Sequence, residues 1–170
     1  LIDALILLKH KFGYTDFICY HVGTFRSETA ENLLLYDSLN AKIRSNCLES
    51  NFVWLEFVND VTDILKISDI YVHPSLREGL GSANLEAATQ ALPIIATRTG
   101  GIPEIVHHKI NGYLFSSESS DELANYLIKL IRDQDLRIKM GRESLRLVSE
   151  KFNVNKQIKL LVQLYYANLK

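Results

Sequence analysis

The stretch "PSLREGLGSANLEAATQALPIIAT", Pro74 to Thr97, decides how this chain is read. An Arg, two Glu and two Gly are gathered around a turn, which leads into a helix and then an apolar strand. A connecting loop needs Gly or Pro, but it does not need two carboxylates such as Glu78 and Glu86. Upstream, "IYVHPS", Ile70 to Ser75, reads as a strand closed by Pro74. Downstream, Ser82 to Gln90 reads as a helix ending before Pro93, and "PIIAT", Pro93 to Thr97, as a buried strand.

A helix N-terminus offers free N–H groups and a partial positive charge, which suit a phosphate. Gly79 and Gly81 let backbone amides approach a ligand closely. Glu78 lies just before the helix and Glu86 about one turn inside it. Two carboxylates flanking a phosphate site suit a molecule with hydroxyls on both sides of its phosphates, as in a nucleotide sugar. From spacing alone a plainer account serves equally well. Glu86 can simply favour the helix dipole, Glu78 can be a solvated loop charge, and the glycines can serve only the turn.

Working outward, strands and helices alternate. Leu1 to Lys11 is helical in pattern and "FICYHVG", Phe17 to Gly23, is a strand. Glu28 to Asn46 is a helix with Leu35, Leu39, Ile43 and Cys47 repeating every four residues, and Phe52 to Phe57 is a strand. Asp60 to Asp69 is a short helix with Asp60 or Thr62 as its cap. "TGGIPEIV", Thr99 to Val106, is a Gly-Gly turn with a helical turn after it, and "NGYLF", Asn111 to Phe115, is a turn with a short strand. Asp121 to Asp133, capped by Ser119 or Ser120, Asp135 to Lys151 and Val154 to Asn168 are helices. Short, uninterrupted apolar strands are typical of parallel strands covered on both faces. The expectation is an α/β fold with a doubly wound, mostly parallel, Rossmann-like sheet, whose ligands bind beyond the carboxyl ends of the strands.

With 170 residues, 47% of them hydrophobic and 23% charged, and a net charge of -1, the chain has the composition of one ordinary globular domain. No basic face suggests nucleic acid, and no apolar run reaches the ~18 residues of a membrane helix. Cys19 and Cys47 read as buried, reduced thiols, which favours a cytoplasmic location. The opening "LIDALILLKHKFG" lacks a basic n-region and a cleavage site, so it reads as an amphipathic helix rather than a signal peptide.

The longer string "VHPSLREGLGSANLEAATQALPIIATRTGGIPEIV", followed by "NGYLF", resembles the donor-binding half of retaining glycosyltransferases of family 4, the group 1 glycosyltransferases of GT-B fold. The resemblance rests on linked motifs. They are Glu78 and Glu86 with seven residues between them, Pro74-Ser75 with Glu78, Gly79 and Gly81, "ALPIIAT" at Ala91 to Thr97, and Gly100 to Val106. It implies that residues 1–170 form a nucleotide-sugar (donor) binding domain, with an N-terminal acceptor-binding domain and the first, central strand of the sheet absent. It implies that Glu78 is the catalytic candidate, contacting the hexose, and that Glu86 holds the ribose. Amides of Gly79, Leu80 and Gly81 would face sugar hydroxyls, and those of Ser82 and Ala83 the diphosphate, with Gly100 and Gly101 nearby. Leu55 to Val58 and the helix after them would meet the base, although Glu56 stands where the family has Gly.

His73 and Arg77 are further candidates, each with a packing or solvated role as its alternative. Arg98 and His107 to Lys109 read as exposed, the stretch from Lys129 to Arg146 as a solvated surface, and Tyr165 and Tyr166 as packed. The resemblance implies no cofactor and no bound metal. The substrate is a UDP-, GDP- or ADP-sugar, and leaving-group charge is met by amides, the helix dipole and basic side chains. The function implied is transfer of a hexose from that donor to a saccharide or lipid-linked acceptor, in settings such as polysaccharide biosynthesis. The chain alone is expected to be inactive. A GT-B sugar-nucleotide epimerase and a non-catalytic nucleotide-sugar-binding module are the alternatives. Peripheral membrane association would come through the missing domain, and self-association through sheet edges left open at Phe17–Val22 and Ile70–His73.

Overall fold

The computed structural model describes residues 1–23 and 29–168. Strands and helices alternate through most of the chain: α1 (Ile2–His10), β1 (Cys19–Val22), α2 (Ala30–Ser45), β2 (Phe52–Leu55), α3 (Thr62–Lys66), β3 (Tyr71–His73), α4 (Ser82–Thr89), β4 (Ile94–Thr97), α5 (Ile102–Ile105), β5 (Gly112–Phe115), α6 (Ser120–Arg132), α7 (Gln134–Lys151) and α8 (Val154–Asn168). The start of the second helix at Glu28 lies outside the described residues. Every strand pairing is parallel, as expected. Among the described residues the strands form two sheets, β1-β2 and β3-β4-β5. This agrees with an α/β fold built on parallel strands.

The chain divides into two compact units. The first comprises residues 1–63 and 118–132, and the second residues 64–117 and 133–170. In the first, Ala4, Leu5 and Leu8 of α1 are buried together with Leu123, Ala124 and Leu127 of α6, and Lys11 pairs with Asp121 at 2.8 Å. Lys9 Nζ donates to the carbonyl of Cys47 at 2.6 Å, tying α1 to the end of α2. Buried Asn51 donates to the carbonyls of Thr15 (2.9 Å) and Phe17 (2.7 Å), which fixes the entry to β1. Trp54 of β2 meets Tyr36 of α2 at 5.4 Å between ring centroids and donates to Asn40 at 2.9 Å.

The helix expected from the four-residue repeat is present as α2, with Ile43 buried and Leu35 exposed. The expectation that both cysteines are buried fails: Cys19 is half-buried. Cys47 is exposed rather than buried, because it sits just past the end of α2 in the left-handed region (φ 52). Its N–H reaches the carbonyl of Arg44 and the N–H of Leu48 that of Ile43, which is the Schellman pattern. That motif buries Leu48 and leaves the residue before it outside.

In the second unit β4 and β5 are wholly buried. Buried Asn111 donates from Nδ2 to the carbonyl of Ile105 (3.0 Å) and accepts from the N–H of His107 (2.7 Å), and its own carbonyl accepts from Ser144 of α7 (3.1 Å). His107 and His108 are accordingly half-buried rather than exposed, and His108 Nδ1 accepts from the N–H of Leu114 at 3.1 Å. Helix α8 is exposed along its length, including Tyr165 and Tyr166, which were expected to pack. Among the described residues no helix is long and apolar enough to cross a membrane.

Candidate functional site

The carboxyl end of β3 builds the site from below. Tyr71 and His73 are two residues apart on the strand, so their side chains share one face. Their rings lie 6.1 Å apart at 25°, and Tyr71 Oη stands 3.2 Å from His73 Nδ1. The chain leaves the strand through Pro74. Ser75 is held twice: its Oγ donates to the carbonyl of Arg77 (2.8 Å), and its carbonyl accepts from Thr97 Oγ1 of β4 (2.6 Å). The turn thus leaves β3 against the end of a buried strand.

Glu78 is fixed through both oxygens. His73 Nε2 stands 2.9 Å from Oε2, and the N–H of Gly79 donates to Oε1 at 3.2 Å. The hydrogen bond from His73, with further help from the Gly79 amide and Ser75, holds the Glu78 carboxyl below its usual range against the opposing effect of burial. Helix α4 then begins after Gly81, which adopts the left-handed conformation (φ 77, ψ 57), and no side chain caps the helix. A Cβ at Gly81 would come within 2.6 Å of Asn84 Nδ2 and 3.2 Å of Ile102. Buried Asn84 uses that amide to donate to the carbonyl of Gly81 at 3.0 Å, bracing the turn.

Glu86 is exposed on α4. It nonetheless belongs to the same cluster. Burial pushes the Tyr71 phenol up to about 12, and the negative charges of Glu86 and Glu78 add to that effect. One hydroxyl therefore senses both carboxylates.

The second glycine pair has a structural task. Gly100 is left-handed (φ 51), and a Cβ there would run into the carbonyl of Glu78. The N–H of Gly101 donates to the carbonyl of Gly79 at 2.5 Å. The Gly-Gly turn is thus backed directly onto the Glu78–Gly79 peptide, and it needs glycine for that approach.

Leu80, Ser82 and Arg77 are exposed and Ala83 is half-buried. Leu55 to Val58 belong to the first unit, with Glu56 and Phe57 exposed. The sequence reading singled out every carboxylate and glycine of this cluster. It missed Tyr71 and Asn84, whose signals were faint: an aromatic two residues before His73 on a strand, and an Asn inside a helix start. Among the described residues no group of three or more His, Cys, Asp or Glu is placed to hold a metal ion.

The parallel strands, the glycine turn and the uncapped helix start are those of an α/β domain, with Tyr71, His73 and Glu78 linked at 3.2 and 2.9 Å. Residues 35–147 match the family of glycosyl transferases group 1, and the chain belongs to that family.

It is 32% identical over 123 residues to N-acetyl-alpha-D-glucosaminyl L-malate synthase of Bacillus anthracis, covering 72% of this chain and 32% of that protein. It is 32% identical over 118 residues to an Escherichia coli UDP-Gal:alpha-D-GlcNAc-diphosphoundecaprenol alpha-1,3-galactosyltransferase, covering 69% and 30%. The crystal structure of the C-terminal domain of a group 1 glycosyl transferase from Francisella tularensis matches with a TM-score of 0.78 at 31% identity, over 90% of this chain and 77% of that one. Anabaena HepE in complex with UDP-glucose shares the fold, with a TM-score of 0.86 at 24% identity over 98% of this chain and 44% of that one. The chain spans about a third of the length of the curated relatives it matches.

Proposed function

We propose that this chain is the donor-binding part of a retaining glycosyltransferase that moves a hexose from a nucleoside diphosphate sugar to a saccharide or lipid-linked acceptor. The observation that carries the reading is the turn after β3, where His73 Nε2 and the Gly79 N–H hold the Glu78 carboxylate at 2.9 and 3.2 Å beside the uncapped start of α4. On this reading the amides of Ser82 and Ala83 bind the diphosphate, because free N–H groups at a helix start favour an anion. Amides of Gly79, Leu80 and Gly81, with the carboxylate of Glu78, face the sugar, and Glu86 takes the ribose hydroxyls. Gly100 and Gly101 support the loop from behind. Exposed Arg77, in the same turn, is the basic residue assigned to the departing diphosphate. No cofactor or metal enters the proposal; preorganised amides and the helix start stabilise the charge that develops on the leaving group.

Uridine is the base to try first, since the Escherichia coli relative is named for UDP-galactose. The acceptor site is assigned to residues outside this chain, which spans only a third of its relatives. Calorimetry with UDP-, GDP- and ADP-glucose, and with the bare diphosphates, tests the reading. Binding of one nucleoside diphosphate, strengthened by its sugar, is expected. Failure of all of them to bind overturns it.

A further inference from the structure

Beyond the carboxylates and glycines, the structure places a three-member chain of side chains behind the sugar-facing loop. Tyr71 Oη, His73 Nδ1, His73 Nε2 and Glu78 Oε2 follow one another at 3.2 Å, across the ring, and at 2.9 Å. Strand geometry accounts for the first link, since residues two apart on β3 present side chains to one face. The tight turn at Pro74 to Glu78 accounts for the second, bringing a loop carboxylate back over the strand end. The His73 and Glu78 side chains keep only 17% and 28% of their exposure, so the link is partly sheltered from water.

We propose that Tyr71 and His73 are positioning residues that orient Glu78 for a hydroxyl of the donor sugar. This rests on the reading of Glu78 as the carboxylate that meets the sugar. An ionised carboxylate only accepts hydrogen bonds, so His73 must carry a proton on Nε2 to bond it. In the neutral ring Nδ1 then has a lone pair, and the Tyr71 hydroxyl donates to it. Every polar group in the chain is satisfied in that one tautomer. With Gly79 N–H on Oε1 and His73 on Oε2, the carboxylate cannot turn about its last bond without losing a partner. Its remaining lone pairs keep a fixed direction before any ligand arrives. Such preorganisation lowers the ordering cost of binding.

Two measurements on the 170-residue chain test this, and they fail separately. Nitrogen NMR of the free protein, at a pH where the ring is neutral, is expected to find His73 protonated on Nε2, with the Nδ1 signal moving when Tyr71 is changed to Phe. A ring protonated on Nδ1, or one indifferent to Tyr71→Phe, overturns the relay whatever the chain binds. Calorimetry then compares UDP with UDP-glucose in the wild type, His73→Asn, His73→Gln and Glu78→Gln. The amide of Gln reaches the place of Nε2, whereas that of Asn reaches only the place of Nδ1. His73→Asn is expected to weaken UDP-glucose about tenfold while leaving UDP within about twofold, and His73→Gln to restore most of the loss. A merely structural histidine would weaken both ligands together or make Gln no better than Asn, and either result overturns the proposal. If Glu78→Gln also leaves the preference for UDP-glucose over UDP intact, or the wild type binds neither probe, the reading of the site itself is wrong.

Discussion

His73 Nε2 lies 2.9 Å from Glu78 Oε2 and makes the largest contribution to keeping that carboxyl below its ordinary range. A carboxyl depressed in the folded state adds stability that is present above its unfolded pKa and lost as pH falls through its folded one. The difference in stability between wild type and Glu78→Gln should therefore be steady at neutral pH. It should shrink on acidification through the carboxylate range and below it. Chemical denaturation at a series of pH values checks this, and a difference independent of pH down to strong acid would contradict it.

The two carboxylates should separate on ligand binding. Glu86→Ala is expected to weaken UDP and UDP-glucose alike, by about ten- to a hundredfold if a hydrogen bond to a charged group is lost. Glu78→Ala is expected to leave UDP nearly unchanged and to remove the extra affinity contributed by glucose. Calorimetry with both ligands decides, and equal losses of UDP in the two variants would show the roles to be wrongly divided.

Much of this was legible in the sequence for definite reasons. The turn between β3 and α4 was legible through the motifs linked to it, since its glycines and carboxylates alone fit an ordinary solvated turn equally well. The parallel strands were visible because β4 and β5, wholly buried, are short runs with no charged residue. Tyr71 was not legible, since one aromatic on a short strand looks like any core residue until the turn folds Glu78 over its neighbour. The role of Gly100 was half legible: its place near the site was read from the motif, but its contact with the Glu78 carbonyl depends on a second loop. Tyr165 and Tyr166 read as packed and are exposed, because hydrophobicity alone does not specify what covers a face.

That contact gives a steric prediction. Gly13 and Gly100 are both left-handed, at φ 66 and φ 51, but a Cβ meets nothing within 4 Å at Gly13 and runs into a backbone carbonyl at Gly100. Gly13→Ala should cost about 1 kcal/mol, the left-handed penalty partly offset by a stiffer unfolded chain. Gly100→Ala should cost clearly more and should also weaken UDP-glucose, because the displaced peptide carries Glu78. Thermal unfolding of both variants checks the order, and equal midpoints would deny the contact.

Alkaline pH should act through two groups, one in each unit. Burial pushes the Cys19 thiol from 9.0 and the Tyr71 phenol from 10.0, each up to about 12. In the unfolded chain both ionise earlier, so it releases protons that the folded protein retains, and stability falls as pH climbs from about 9 towards 12. Cys47 is exposed and should react quickly with a thiol reagent at mildly alkaline pH, while half-buried Cys19, its thiol held protonated, should react more slowly until denaturant is added. Two equally fast thiols in the native protein would contradict the raised pKa of Cys19.

The end of α4 makes a pair of opposite predictions at one contact. The N–H of Ala91 bonds the carbonyl of Ala88 and that of Leu92 the carbonyl of Ala87, at 3.1 and 3.2 Å, so α4 closes with a Schellman motif. The left-handed position of that motif, normally glycine, is Ala91 at φ 55. Relieving a left-handed alanine gains about 1–2 kcal/mol, and the added freedom of the unfolded chain removes about 0.4–1 kcal/mol, so Ala91→Gly should stabilise by up to about 1 kcal/mol. On the other side of the contact, a Cβ at Gly141 of α7 would run into the Ala91 carbonyl. Helix propensity alone would make Gly141→Ala stabilising by about 1 kcal/mol. The clash is with backbone, which cannot rotate aside, so it should outweigh that gain and make Gly141→Ala destabilising. Thermal midpoints are expected to rise by about 2–4 °C for Ala91→Gly and to fall for Gly141→Ala. A rise in both would mean that α7 does not press on the end of α4 as the structure has it.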